Sequence, residues 1–215
     1  MIDSSKYCTM YIVRHGETEW NVKQIMMGHK DSPLTANGIA QAHRLKDNLQ
    51  GIKFDAVFSS DLLRAKRTAE IINLEKNLAI KTSELLREKN YGAFEGGQVG
   101  DYTSALKKLL VAEEALTNEQ KFNSKTGTGD ESEAEVTTRF ITYIREIAAA
   151  YVNKKVLIVT HGGCIRMFLM NLGFGTREEL VGAVGNTAYV KVLTDGIDFS
   201  IEETVGINKN IIFNS

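Results

Sequence analysis

Short, β-branched apolar runs alternate along this chain with stretches of helical period, and that alternation is the strongest constraint on its fold. The runs Thr9 to Val13, Ala56 to Phe58 and Val156 to Thr160 are too brief for helices and are followed by small or polar residues, so they read as buried strands. Between them, Ile39, Ala42, Leu45 and Leu49 form one apolar stripe, and Leu62, Ala65, Ala69 and Ile72 a second. Val136, Phe140, Ile144, Ile147 and Tyr151 form a third. The helix starts fall where these stripes need them, at Thr35, at Asp61, and at Ser132 with Glu135 three residues on as a capping box. Strands joined by crossover helices lie parallel with helices on both sheet faces. The expected fold is therefore a three-layer α/β/α sandwich around a mostly parallel central sheet. Near the end, Thr187 to Leu193 and Phe199 to Glu202 flank Asp195-Gly196, a tight-hairpin dipeptide, which predicts an antiparallel edge. Lys, Asn, Ser, Thr and Gly crowd from Asn118 to Asp130, which predicts a surface loop closing an insertion that begins after Gly92.

With 215 residues, no repeat and no linker, the chain is expected to be a single domain, residues 1–215, that buries a sufficient core without staples. Its 26 basic and 27 acidic residues, in no long like-charged block, argue against a nucleic-acid partner. Cys8 and Cys164 lie in separate apolar runs and in no metal-binding spacing, which fits a reduced, cytoplasmic protein with buried thiols. The amino terminus, Met1-Ile2-Asp3-Ser4-Ser5-Lys6, lacks the form of an export signal, and the carboxy-terminal residues carry no lipidation motif. No stretch approaches the ~20 apolar residues that span a bilayer, so no membrane partner is expected.

In an open α/β sheet, ligands bind beyond the carboxyl ends of the strands. Two of the three central strands end in a histidine followed by glycine, at Arg14-His15-Gly16 and at Thr160-His161-Gly162-Gly163. The third ends in Ser59-Ser60-Asp61, with Arg64 one turn into the helix that follows. Two imidazoles and two guanidiniums facing one crevice suit a phosphate monoester, because Arg offers its oxygens a bidentate fork and neutral imidazole can attack phosphorus. The leaving alkoxide needs a proton, and Glu88 is the donor at hand, with Arg87 and Tyr91 beside it as pocket candidates.

These residues carry a family resemblance. Arg14-His15-Gly16-Glu17-Thr18-Glu19-Trp20-Asn21 resembles the signature of the histidine phosphatase superfamily, which includes cofactor-dependent phosphoglycerate mutases and fructose-2,6-bisphosphatases. The likeness continues in order through Pro33 to Gly38, Ser59 to Ala65, Leu86-Arg87-Glu88 to Glu95-Gly96, and Thr160 to Gly163. It implies a phosphoglycerate mutase-like fold, His15 as the nucleophile that becomes phosphohistidine, and Arg14, Arg64 and His161 as holders of the phosphoryl oxygens. Glu88 would protonate the leaving oxygen and then activate water. Asn21 matches a phosphate-contacting position, Gly16 and Gly162 give the substrate room to approach, and Gly28 sits where the family's loop nears it. No metal or other cofactor is implied, and the insertion at about 92–130 would cap the site.

Competing readings remain at this level. A metal centre built from His15, Glu17, His161 and Glu88 has no HExxH and no paired histidines at helical spacing, and two arginines would repel the cation. Thr126 to Gly129 follows no strand and lacks a P-loop lysine. His43, Lys66 and Arg67 fall on solvated faces, Trp20 is expected to anchor packing, and His29 is a lesser candidate. Mutases of this family carry an arginine pair after the catalytic glutamate. Here no Arg occurs between Glu88 and Arg139, and Lys89, Lys107, Lys108, Lys121 and Lys125 are diluted by acids including Glu113 and Glu114. The expected function is therefore metal-independent hydrolysis of small phosphate monoesters, with a phosphoglycerate mutase or a phosphate-binding pseudophosphatase as alternatives. The strand from Thr187 either pairs with a second chain in a homodimer or is covered internally.

Overall fold

The computed structural model describes residues 6–75, 77–112, 115–127 and 129–210. Residues 1–5 and 211–215, read above for sorting signals, lie outside the described residues, as do Glu113, Glu114 and Thr128. In chain order the elements are β1 (Cys8–Arg14), α1 (Glu19–Val22), α2 (Ala36–Asn48), β2 (Ala56–Ser60), α3 (Leu63–Asn73), β3 (Ile80–Ser83) and α4 (Val99–Ala112). They continue through α5 (Asn118–Asn123), α6 (Glu133–Ala150), β4 (Lys155–Thr160), α7 (Gly162–Asn171), α8 (Arg177–Leu180), β5 (Val184–Thr194) and β6 (Phe199–Ile207).

The six strands form one mixed sheet in the order β3-β2-β4-β1-β5-β6. The first four are parallel, and β5 and β6 run antiparallel as a hairpin at one side. Period-two alternation sends the strand residues to opposite layers. Met10, Ile12, Val156 and Ile158 pack with Phe140 and Ile144 of α6 and Phe168 of α7. Tyr11, Val13, Leu157 and Val159 pack with Leu45 of α2 and Ala65 and Ala69 of α3. Both faces being covered explains why β1 and β4 are apolar almost throughout.

Several details differ from the sequence expectation. The strand β3 has no apolar signature because Lys81 and Thr82 are exposed on an edge strand. The stretch from Asn118 is not all loop: Thr117 and Gln120 form a capping box that starts α5. Ile39 of the first stripe is exposed, while Ala42, Leu45 and Leu49 are buried. The strand from Thr187 is covered internally, paired with β1 on one side and β6 on the other. Asp61 does not cap α3: Leu62 takes the N-cap position without a side-chain bond, because the Asp61 carboxylate is drawn to Arg87 at 2.8 and 2.5 Å. Among the described residues no helix is long and apolar enough to cross a membrane.

Candidate active site

Since β1 and β4 are parallel neighbours, their carboxyl ends finish side by side. Arg14 is in register with Thr160, and the His15 amide donates to the Thr160 carbonyl at 3.0 Å. The next residue on each strand is a histidine, and the two buried rings lie 5.2 Å apart between centroids. The His15 Nδ1–H donates to the Gly16 carbonyl at 2.7 Å. A carbonyl only accepts, so Nδ1 carries the proton and Nε2 holds the lone pair, as a nucleophile requires. Burial, reinforced by Arg64 and Arg14, pushes the His15 pKa well below its ordinary value. Burial and the Arg64 charge do the same to His161.

A stability prediction follows with a definite sign. Below the ordinary value of 6.5, the unfolded chain takes up protons at these rings that the folded chain does not. Their contribution is intact above that pH and is lost progressively beneath it. The melting temperature is therefore expected to fall between about pH 7 and pH 5.5, and to fall less steeply in His15→Asn. Equal slopes in calorimetric scans of the two proteins would contradict a buried neutral His15.

Both arginines are anchored through their Nη atoms. Arg14 Nη1 donates to the Val184 carbonyl at 2.6 Å. Arg64 Nη1 donates to the Lys30 carbonyl at 2.8 Å and to Asp31 Oδ1 at 3.0 Å, and Nη2 donates to the Gly28 carbonyl at 2.7 Å. Both leave a buried Nε–H without a partner, and both ring nitrogens of His161 are likewise unpartnered. Buried polar atoms are normally satisfied, so four orphaned atoms on three neighbouring residues mark a place for a ligand. Arginine forks suit a multiply charged oxyanion such as phosphate.

Glu88 completes the group. Its Oε2 accepts from the Gly163 amide at 3.0 Å and its Oε1 from the Lys89 amide at 2.8 Å. A Cβ on residue 163 would lie 2.2 Å from Glu88 Oε1, so glycine there admits the carboxylate. The backbone around it is clamped from outside: Arg139 donates to the carbonyls of Arg87 and Glu88, Cys164 Sγ to that of Arg87, and Thr160 Oγ1 to that of Leu86. Burial raises the Cys164 thiol to about 12, so it is inert.

A pocket of about 470 Å³ opens here, with Arg14, His15, Arg64 and Glu88 in its wall, whereas His161, expected among the site residues, is fully buried and does not line it. Asn21, Gly28, Tyr91 and Gly162 also line it. Asn21 Oδ1 is engaged by the Thr18 amide at 3.0 Å, which leaves Nδ2 as the atom it can offer. Gly16 is not in the wall: its glycine is needed because a Cβ would come within 2.6 Å of the Gly38 carbonyl oxygen. Trp20 lines the pocket, whereas Arg87 does not, being paired with Asp61. His29 Nε2–H donates to the Glu88 carbonyl at 2.9 Å and so braces the backbone. His43, Lys66 and Arg67 are exposed, as expected. Glu17 accepts the Thr35 hydroxyl at 2.7 Å, and among the described residues no three His, Cys, Asp or Glu side chains gather as a metal ion needs.

Two residues escaped the sequence reading. Arg166 lines the pocket, one helical turn after Gly162 on α7, a spacing that would have found it. Asn186 donates to the His15 carbonyl and to Asn21 Oδ1, each at 3.3 Å. Thr187 beside it also donates to the His15 carbonyl and holds φ at 57°, an unusual angle for a β-branched residue. Nothing local in the sequence signals these long-range bonds.

Residues 10–205 match the family model of the histidine phosphatase superfamily (branch 1). Over 192 residues, 89% of each protein, the chain is 32% identical to an uncharacterized phosphatase, PhoE, of Bacillus subtilis. It is 31% identical over 199 residues to a broad-specificity phosphatase of Saccharomyces cerevisiae, covering 86% of this chain and 79% of the relative. The crystal structure of a phosphoglycerate mutase from Bacillus anthracis superposes with a TM-score of 0.80 at 26% identity, over 95% of both chains.

Proposed function

Since the chain belongs to the histidine phosphatase superfamily (branch 1), we propose that it is a phosphoric monoester hydrolase acting on small phosphorylated metabolites, such as sugar phosphates or phosphoglycerates, through a phosphohistidine. The observation that carries this reading is the cradle itself: a free Nε2 lone pair on His15 beside the unpartnered donors of Arg14 and Arg64. In the first step His15 Nε2 attacks phosphorus, the P–O ester bond breaks, and protonated Glu88 delivers its proton to the leaving oxygen. In the second, Glu88 takes a proton from water, the water oxygen bonds to phosphorus, and the P–N bond breaks to release phosphate and restore His15. Arg14, Arg64 and His161 hold the equatorial oxygens, where charge spreads in the transition state.

Hydrolysis is favoured over mutase chemistry by the charge of the wall. Among the described residues, Arg166 is the one basic residue lining the pocket beyond Arg14 and Arg64. Lys89 lies buried against Asp130 at 3.6 Å, and Lys107 and Lys108 are exposed outside the wall. A transferred group would thus find a weak hold for reorientation. Within the expected cap, α4 contributes Val99, Tyr102 and Leu106 to the wall.

The test is phosphate release from a panel of monoesters, including 3-phosphoglycerate and fructose bisphosphates, with chelator present. Release is expected to survive the chelator. Glu88→Gln is expected to slow natural esters by about 10²-fold or more while slowing p-nitrophenyl phosphate far less, since its leaving group needs little protonation. No release from any ester between mildly acidic and neutral pH would refute the proposal. Conversion of 3-phosphoglycerate in the presence of 2,3-bisphosphoglycerate would establish the mutase instead.

A further inference from the structure

The helix that carries Arg64 begins without a cap of its own. Leu62 stands extended at the N-cap position with no side-chain acceptor, and Asp61 is occupied by Arg87. The first amides of α3 need partners from elsewhere, and they find one in the loop before α2. Asp31 Oδ2 accepts from the Leu63 amide at 2.5 Å, and Oδ1 accepts from the Arg64 amide at 3.4 Å. The same Oδ1 accepts from Arg64 Nη1 at 3.0 Å. One carboxylate therefore terminates the helix backbone and grips the side chain which that backbone presents.

From this we infer that Asp31 is a positioning residue for phosphoryl transfer, holding the Arg64 guanidinium so that its Nε–Nη2 edge faces the substrate phosphate. The inference rests on the phosphatase reading of the site. A guanidinium has five N–H groups. Asp31 Oδ1 and the Lys30 carbonyl take Nη1, and the Gly28 carbonyl takes one hydrogen of Nη2. What remains is the buried, unpartnered Nε–H and a second Nη2–H on the same side chain, donors that phosphate oxygens accept.

Arg64 is 1% exposed, and among the described residues Asp31 is the one carboxylate within ion-pair distance of it. Without that carboxylate, the buried cation keeps only two carbonyl partners from the loop, and the helix start that sets its Cα loses its cap. A donor off by a fraction of an ångström is penalised most in the transition state, where charge is greatest. The loss should thus exceed what ground-state binding suffers. A merely structural cap would lower the melting point and leave that ratio unchanged.

The experiment compares full-length wild type, Asp31→Asn and Asp31→Ala well below the melting temperature of all three. Binding of orthovanadate, which mimics the five-coordinate transition state, is read by calorimetry against binding of inorganic phosphate, together with kcat/KM for p-nitrophenyl phosphate. Asp31→Ala is expected to weaken vanadate about tenfold or more and phosphate by at most about threefold, with kcat/KM falling alongside vanadate affinity. Asp31→Asn keeps one acceptor oxygen and is a competent cap, so it should melt near wild type yet still lose about fivefold in vanadate affinity.

Vanadate affinities within twofold of wild type in both variants, with only melting lowered, would reduce Asp31 to a helix cap. Should Asp31→Ala fail to fold, the Asp31→Asn comparison decides by the same criterion. A wild type that binds vanadate but hydrolyses no ester would overturn the hydrolase reading while leaving the Asp31 comparison readable from binding. A wild type that binds neither anion would overturn both.

Discussion

His15→Ala is expected to abolish phosphate release, with a loss on the order of 10⁴-fold or more, while inorganic phosphate still binds. The asymmetry arises because His15 alone offers a lone pair fixed by its own hydrogen bond, whereas the anion is held by Arg14 and Arg64, which the substitution leaves anchored to backbone carbonyls. His161 lies close but has neither ring nitrogen fixed by a partner, so nothing selects its tautomer or aims it. Rapid quench of the wild type should trap an acid-labile phosphoenzyme that the variant does not form. Turnover unchanged in His15→Ala would remove His15 from the mechanism. Phosphate binding without turnover in the wild type would favour the pseudophosphatase.

Arg64→Ala and Arg14→Ala are each expected to lower kcat/KM by about 10²–10³-fold, the usual scale for a preorganised donor to developing charge. Arg64→Lys should recover little, because an ammonium is a single point and cannot reproduce a fork anchored on one side by Gly28, Lys30 and Asp31. The double variant should lose less than the product of the single losses, since both groups serve one oxyanion. Single-variant rates within threefold of wild type would contradict the clamp.

Much of this was legible beforehand, and the reasons differ by residue. His15, His161 and Arg14 were identifiable because strand polarity alone puts the carboxyl ends of neighbouring parallel strands together, so a polar residue after each apolar run must face the same crevice. Arg64 was legible from its place just after Ser59-Ser60-Asp61 at the end of β2, although the helix begins later than expected and Arg64 is its second residue. Asp61 has the chemistry and position of an N-cap, but its carboxylate is bonded to the Arg87 guanidinium instead. The space that Gly16 leaves is filled by the Gly38 carbonyl and not by the pocket. In each case a local rule held until a partner distant in sequence competed for the same atoms.

The sequence by itself determined the layered α/β fold, the sheet edge at which the pocket opens, and the residue types meeting there, because periodicity is a short-range property of the chain. Only the tertiary structure decided which nitrogen of His15 is free, which guanidinium nitrogens are left without a partner, and that Asp31 and Asn186 bond to Arg64 and to the His15 carbonyl. Those choices depend on hydrogen bonds between segments far apart in the chain, 28–31 with α3 and β5 with β1, whose distances are set by packing both sheet faces at once.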